Sequence, residues 1–135
     1  MIIIDDIFTI NGMITYLPSN TLTIYTDASG KGDIAVVIDG RLTIHELYSS
    51  KKYSSNDLEY IAVKRAVETL PKNSIAVLHS DSQLVINQLL FTHTIHKKRH
   101  RQFVRDIHST MNKNNLIIKF KWVKRRKNKA GKYLG

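Results

Sequence analysis

The chain has 135 residues, 42% hydrophobic and 24% charged, which suits one compact domain with a real core and leaves little room for a second. It contains no cysteine, so disulfides and thiolate metal sites are excluded. Its net charge of +10 points to nucleic acid as the partner ahead of an anionic membrane, with solubility alone as the bland alternative. No apolar run approaches the roughly 18–20 residues that a membrane span needs. The Met1–Ile4 stretch is too short for a signal sequence and runs straight into Asp5 and Asp6. The expectation is a cytoplasmic protein with no membrane partner, monomeric by default.

In residues 1–20, the apolar stretches MIII and MITYL flank Asn11-Gly12, which predicts a short hairpin or an added edge strand before the break at Pro18-Ser19-Asn20. Residues 21–135 are expected to form the main domain. Thr21–Thr26 is β-branched and aromatic, as a strand should be, and Asp27–Gly32 reads as a turn. Ile34–Ile38 reads as a buried strand, and Asp39-Gly40 predicts an antiparallel return over Arg41–Tyr48. Ser54-Ser55-Asn56 then offers N-cap residues for a helix carrying Leu58, Ile61, Ala62, Ala66, Val67 and Leu70, closed by Pro71. Ile75–Leu78 is a short strand, and Gln83–Leu90 a helix. HTIHKKRHR is a charged connector, Gln102–Met111 a helix, and Leu116–Trp122 the last strand. Three antiparallel strands followed by crossovers imply an α/β fold: a mixed sheet with helices packed on it.

Asp27 stands where the first long strand ends, and Asp81 where the fourth ends, just before a helix. If those strands are parallel neighbours, the two carboxylates lie side by side at the edge where open α/β sheets collect ligands. Glu59, in the first turn of the helix between them, can overhang the same edge. Clustered carboxylates repel unless a cation neutralises them, and oxygen-only ligands suit Mg²⁺ or Mn²⁺ rather than zinc. Taken singly, each reads more readily as a turn residue or a helix cap; the three together, in a basic protein, are better evidence for a site.

With these residues the chain resembles the type 1 ribonucleases H, from about Thr21 onward. The pieces are TIYTDAS with Asp27, SSNDLEYIAV with Asn56 and Glu59, HSDSQLVINQL with Asp81 and Gln83, and the closing KWVKRRKNKAGKYLG. Each piece is moderately specific; their order and spacing together are far more so. The resemblance implies the ribonuclease H-like fold, a five-stranded mixed sheet with flanking helices. It also implies a nuclease that cleaves RNA in RNA–DNA hybrids with two divalent ions. On that pattern Asp27, Glu59 and Asp81 are the metal ligands and carry catalysis, Asn56 and Gln83 contact the RNA strand, and Ser54 contacts a phosphate of the DNA strand.

The ending departs from the family, which reads Asn-x-x-Ala-Asp-x-Leu-Ala and uses its Asp as a fourth ligand. Here Asn128–Gly135 puts Gly131 at the Ala and Lys132 at the Asp, and no acidic residue follows Asp106. An ammonium has no lone pair to offer a metal. Lys132 therefore either points away or stands where a metal would be, and the expectation is a weakened, Mn²⁺-favouring enzyme. The alternatives are a catalytically inactive module that binds a hybrid or duplex, and an interaction protein with an acidic partner. The loop after Asp27 is also short, and the family's histidine before the last helix is missing.

Lys97, Lys98 and Arg99 lie where some family members carry a basic substrate-binding protrusion, and are assigned to substrate binding. His93, His96 and His100 beside them read as a solvated, phosphate-touching connector rather than a metal site. Trp122 is expected in the core, as are Tyr53 and Tyr60 in core or surface packing. His45, His79 and His108 show no partner in the sequence.

Overall fold

The structure, a computed structural model, describes residues 7–10, 13–16, 20–91 and 95–135. Strand β1 (Ile7–Ile10) pairs antiparallel with β2 (Met13–Tyr16), Ile7 opposite Tyr16 and Ile10 opposite Met13. An N-terminal hairpin forms, with IFTI and MITY as its described strands. The aromatic and β-branched IFTI segment suits a pleat. Met1–Ile4, the Asn11-Gly12 turn, Pro18-Ser19 and His93 lie outside the described residues.

The main sheet is five-stranded and mixed, in the order β5-β4-β3-β6-β7. Strands β3 (Leu22–Ala28), β4 (Asp33–Ile38) and β5 (Arg41–Leu47) are antiparallel neighbours. Strand β6 (Ile75–Ser80) runs parallel to β3, and β7 (Ile117–Trp122) parallel to β6. Asp39 and Gly40, at φ 49° and 80°, close the β4–β5 hairpin with the two positive φ values that a tight two-residue turn demands. Gly32, at φ 107°, is confined to glycine twice over, because a Cβ there would lie 2.2 Å from the Tyr48 carbonyl oxygen.

Helices α1 (Ser55–Thr69) and α2 (Gln83–Leu90) pack on this sheet, and α3 (Lys98–Lys113) packs against α1. Ile24, Ile34, Val36 and Leu78 from the strands meet Leu58, Val63, Val67, Val85 and Ile107 from the helices, all fully buried. A second apolar cluster joins Ala35 and Val37 to Ala130, with Tyr25, Tyr133 and Leu134 packed against it. The C-terminal segment is therefore folded onto the sheet, not a loose basic tail. Among the described residues, no helix is long and apolar enough to cross a membrane.

Three features depart from the sequence expectations. Helix α3 begins at Lys98 rather than Gln102, because His100 is 2% exposed and its Nε2 donates to Asp57 Oδ1 at 2.9 Å. That histidine packs on the Tyr60 ring and is no part of a solvated connector. Trp122 is 39% exposed rather than core, its indole N–H spent on the Asp81 carbonyl at 3.0 Å. The chain after β7 forms two short 3-10 turns, Arg125–Lys127 and Gly131–Tyr133, where the resemblance implied a closing helix.

Asp57 ties the start of α1 to the start of α3. Its carboxylate accepts from the Ser54 backbone N–H at 3.0 Å, Arg99 Nη1 at 2.9 Å and His100 Nε2, and Ser54 Oγ returns the bond from Asp57 N–H at 3.1 Å. Burial pushes this carboxyl up, but the bonds from Ser54, Arg99 and His100 outweigh it and hold it below its ordinary range. Replacing Asp57 by Ala removes the capping box and strands a buried histidine. Denaturant melts should show a loss of about 2–4 kcal/mol, against under about 0.5 kcal/mol for an exposed control such as Lys51→Ala.

Candidate metal and nucleic-acid site

Parallel pairing aligns the two strand ends. Tyr25 of β3 is level with His79 of β6, so Asp27 and Asp81, each two residues further on, reach the same edge. Their local supports differ. Thr26, fully buried, donates its hydroxyl to the His79 carbonyl, while Asp27 Oδ1 accepts from Ala28 N–H at 2.9 Å. Asp81 sits in the turn between β6 and α2. That turn is held by Ser82 capping Val85 N–H, by Ser80 Oγ accepting from Ser82 N–H, and by Trp122 on the Asp81 carbonyl.

Glu59 comes from α1, one turn in from the Ser54 cap, and its Oε1 accepts from Ala28 N–H at 3.1 Å. One carboxylate oxygen from each of Asp27, Glu59 and Asp81 lies within 4.8 Å of the others. Asp27 and Glu59 are buried, at 7% and 9% exposure. Burial, with the charges of Asp27 and Asp81 beside it, pushes the Glu59 carboxyl up to about 9. Burial and the Asp81 charge likewise raise Asp27. Glu59 Oε2 is the buried side-chain oxygen left without a hydrogen-bond partner among the described residues. A buried carboxylate oxygen without a partner, on a residue clustered with two other acids, is what a bound hard cation would satisfy, so the donor set fits Mg²⁺ or Mn²⁺.

These carboxylates line a cleft of about 1000 Å³ that also takes in Ser29, Lys31, Asn56, Arg125, Arg126 and Lys132. Ser54 and Asn56 are exposed at the start of α1, and Gln83 is exposed at the start of α2. Lys97 and Lys98 are exposed at the start of α3. Arg99 is not brought to the cleft: its guanidinium is held by Asp57 and by the Lys52 carbonyl at 2.9 Å, with Tyr53 beneath it.

Lys132 is exposed, its ammonium 5.1 Å from the centre of the Tyr133 ring. Both altered positions line the cleft, and a Cβ on Gly131 would stand 3.1 Å from Asp27 Oδ2. Asn128 fixes this segment: buried, it donates Nδ2 to the Thr26 carbonyl at 2.9 Å and accepts from Ala130 N–H at 3.1 Å. Asp33 holds the far end, accepting from Ser29 Oγ, from His45 Nε2 at 3.1 Å and from Gly135 N–H at 3.0 Å. Burial opposes these bonds, yet they keep the Asp33 carboxyl at about 2.

Sequence reasoning matched Asn128 and Gly131 to the family's closing frame but did not assign Arg125 and Arg126 to the site, because a run of basic residues reads alike whichever way its side chains point. His79 and His108, without partners in the sequence, bond the carbonyls of Ile24 and Leu89.

The sequence profile of the RNase H family matches residues 19–132. The chain belongs to the RNase H family. RNase H folds recur among the solved structures similar to it. LC11-RNase H1, solved in complex with an RNA/DNA hybrid, superposes with a TM-score of 0.70 at 22% identity, covering 83% of this chain and 92% of that one. The N-terminal RNase H domain of rv2228c from Mycobacterium tuberculosis gives 0.65 at 17% identity, covering 82% and 86%. RNase H1 from the halophilic archaeon Halobacterium salinarum NRC-1 gives 0.61 at 20%, covering 82% and 89%. A search of curated proteins finds no significant match. Within the RNase H fold, the three carboxylates occupy the ends of the two central parallel strands and the helix above them.

The raised Glu59 carboxyl fixes a sign for the metal-free RNase H domain. The folded state binds a proton that the unfolded state has released above the ordinary Glu value of 4.5, so stability falls as pH rises from there to about 9. Denaturant melts in EDTA across that range should show the fall, and Glu59→Gln should flatten it. A wild-type profile as flat as that of the variant would contradict the buried cluster.

Proposed function

We propose that this chain is an endonuclease that cleaves the RNA strand of RNA–DNA hybrids, using divalent metal held by Asp27, Glu59 and Asp81. The observation that carries the proposal is the convergence of those carboxylates, with Glu59 Oε2 unsatisfied, in a cleft bordered by basic side chains. Mg²⁺ or Mn²⁺ bound there supplies Lewis acidity that activates water and steadies charge on phosphate oxygens. Asp27, bonded to Glu59 and beside the Asp81 charge, is the ligand whose loss is expected to cost most.

The remaining roles follow position. Asn56, which lines the cleft, and Gln83, exposed two residues after Asp81, hydrogen-bond the RNA strand and its 2′-hydroxyls in this reading, the group that separates RNA from DNA. Ser54 Oγ accepts from Asp57 N–H, which leaves its own proton free for a phosphate of the DNA strand. Lys97 and Lys98 add phosphate contacts, while Arg99 steadies α1 through Asp57. Hydrolysis adds water to phosphorus and breaks one ester bond; the leaving oxygen takes its proton from solvent.

The lack of any acidic residue after Asp106 favours one second reading, a module that binds the hybrid without cutting it. Labelled RNA–DNA hybrid incubated with the protein and Mg²⁺ or Mn²⁺ separates the two. Metal-dependent cleavage that falls at least about 100-fold in Asp27→Asn supports the nuclease. No cleavage with either ion, alongside hybrid binding that survives EDTA and weakens steeply with salt, supports the binding module. Lys132→Asp should change cleavage by less than about threefold, because residue 132 is exposed with its ammonium 5.1 Å from the centre of the Tyr133 ring; a tenfold gain would put it in the ligand set.

A further inference from the structure

We propose that Trp122 is a positioning residue for the cation site: its indole N–H, bonded to the Asp81 carbonyl, holds the Asp81 carboxylate beside Asp27 and Glu59. The proposal rests on the cation site of the nuclease reading above, and not on the substrate named there.

The three acids are anchored differently. Asp27 Oδ1 and Glu59 Oε1 both accept from the Ala28 N–H, at 2.9 and 3.1 Å, so each is held through its carboxylate. Among the described residues the Asp81 carboxylate accepts no hydrogen bond, and Asp81 is only half-buried where the other two are buried. Its place in the cluster is therefore set by its backbone. Charge works against that place, since Asp81 repels both Asp27 and Glu59.

The two peptide planes that meet at the Asp81 Cα fix the direction of its side chain. Strand β7 grips both. Trp122 is level with Ser80 across the parallel ladder. Val123 N–H donates to the Ser80 carbonyl at 3.0 Å, which holds the plane before Asp81. Trp122 Nε1–H donates to the Asp81 carbonyl at 3.0 Å, which holds the plane after it. Ser82 N–H, at the other end of that second plane, donates to Ser80 Oγ at 3.1 Å. Of these three bonds, the indole's alone comes from a side chain of another element.

Burial does not account for this tryptophan. Trp122 is 39% exposed, whereas Phe120, two residues earlier on the same face of β7, is 7% exposed and belongs to the core. An indole N–H at the surface is as free to donate to water, so no desolvation penalty forces it onto a carbonyl. The ring could be that of a phenylalanine; the nitrogen is what the Asp81 turn uses. In the metal-free protein, release of the second plane lets Asp81 move off its neighbours, and the relieved repulsion offsets the lost bond. With an ion bound, the same freedom costs affinity, because the ligand has to be ordered on binding. Stability without metal and affinity for metal therefore respond differently to loss of the N–H.

The chain has a single tryptophan, so expression in a tryptophan auxotroph fed β-(3-benzothienyl)alanine replaces this one N–H by sulfur and keeps the size of the ring. That protein and Trp122→Phe are compared with the wild type for melting temperature in EDTA, Mn²⁺ affinity by calorimetry, and cleavage of hybrid. Both should melt within about 3 °C of the wild type in EDTA. Both should bind Mn²⁺ about tenfold more weakly. At Mn²⁺ concentrations below the wild-type Kd, cleavage should fall by about the same factor, with the KM for hybrid changed by less than about threefold. Mn²⁺ affinity within about twofold of the wild type in the benzothienyl protein overturns the proposal. So does a weaker affinity accompanied by melting more than about 10 °C lower, which is what a purely structural tryptophan gives. Weakened Mn²⁺ binding in a protein that cleaves no hybrid upholds the role of Trp122 and overturns the nuclease instead.

Discussion

Three carboxylates forced together at the buried ends of two parallel strands are the constraint on which the rest of this structure turns. The pairing of Tyr25 with His79 makes β3 and β6 end level, and that alone brings Asp27 and Asp81 together. Helix α1 then lowers Glu59 onto the same edge, where one backbone N–H, that of Ala28, serves both Asp27 and Glu59. Without a cation the cluster is frustrated: Glu59 retains a proton far above its ordinary range and keeps one oxygen unsatisfied. Such local unfavourable chemistry is tolerated where function uses it.

Much of the surrounding architecture holds those acids in place against their repulsion. The Ser54–Asp57 capping box and its ties to Arg99 and His100 fix the start of α1, hence the height of Glu59. Trp122 and Val123 pin the Asp81 turn from β7, and Asn128 bonds the strand carrying Asp27. Asp33 gathers Ser29, His45 and Gly135 and so seats the C-terminal segment against the sheet. Basic residues delivered by that segment, Arg125 and Arg126 foremost, then border an acidic centre. A basic rim around a metal-binding core is suited to a polyanionic substrate, and it accounts for the strongly positive net charge.

Local signals made much of this legible in the sequence. Alternation of strand-forming residues with turns gave the mixed sheet, and Asp39-Gly40 gave its first hairpin. Asp27 and Asp81 stood out because each closes a strand, and Glu59 because it opens a helix between them. What stayed hidden depends on partners distant along the chain. Asn128 meets Thr26 across 102 positions, and His100 meets Asp57 across 43. The second pairing drew Lys98 and Arg99 into a helix where their charges suggested a connector. Trp122 read as core by its bulk, yet its N–H serves the Asp81 turn at the surface. The resemblance put Lys132 at the family's acidic ligand within a closing helix. Short turns form there, and both Lys132 and Gly131 line the cleft, with Gly131 close to Asp27.

The central claim is that Asp27, Glu59 and Asp81 form one cation site. Crystals of the protein soaked in Mn²⁺ and measured for anomalous scattering test it most directly. The account predicts a peak among these three carboxylates with Glu59 Oε2 as one of its ligands, and no such peak in Glu59→Gln. An empty cluster in Mn²⁺-saturated crystals, or an ion bound elsewhere while Glu59 Oε2 stays unpaired, would contradict it.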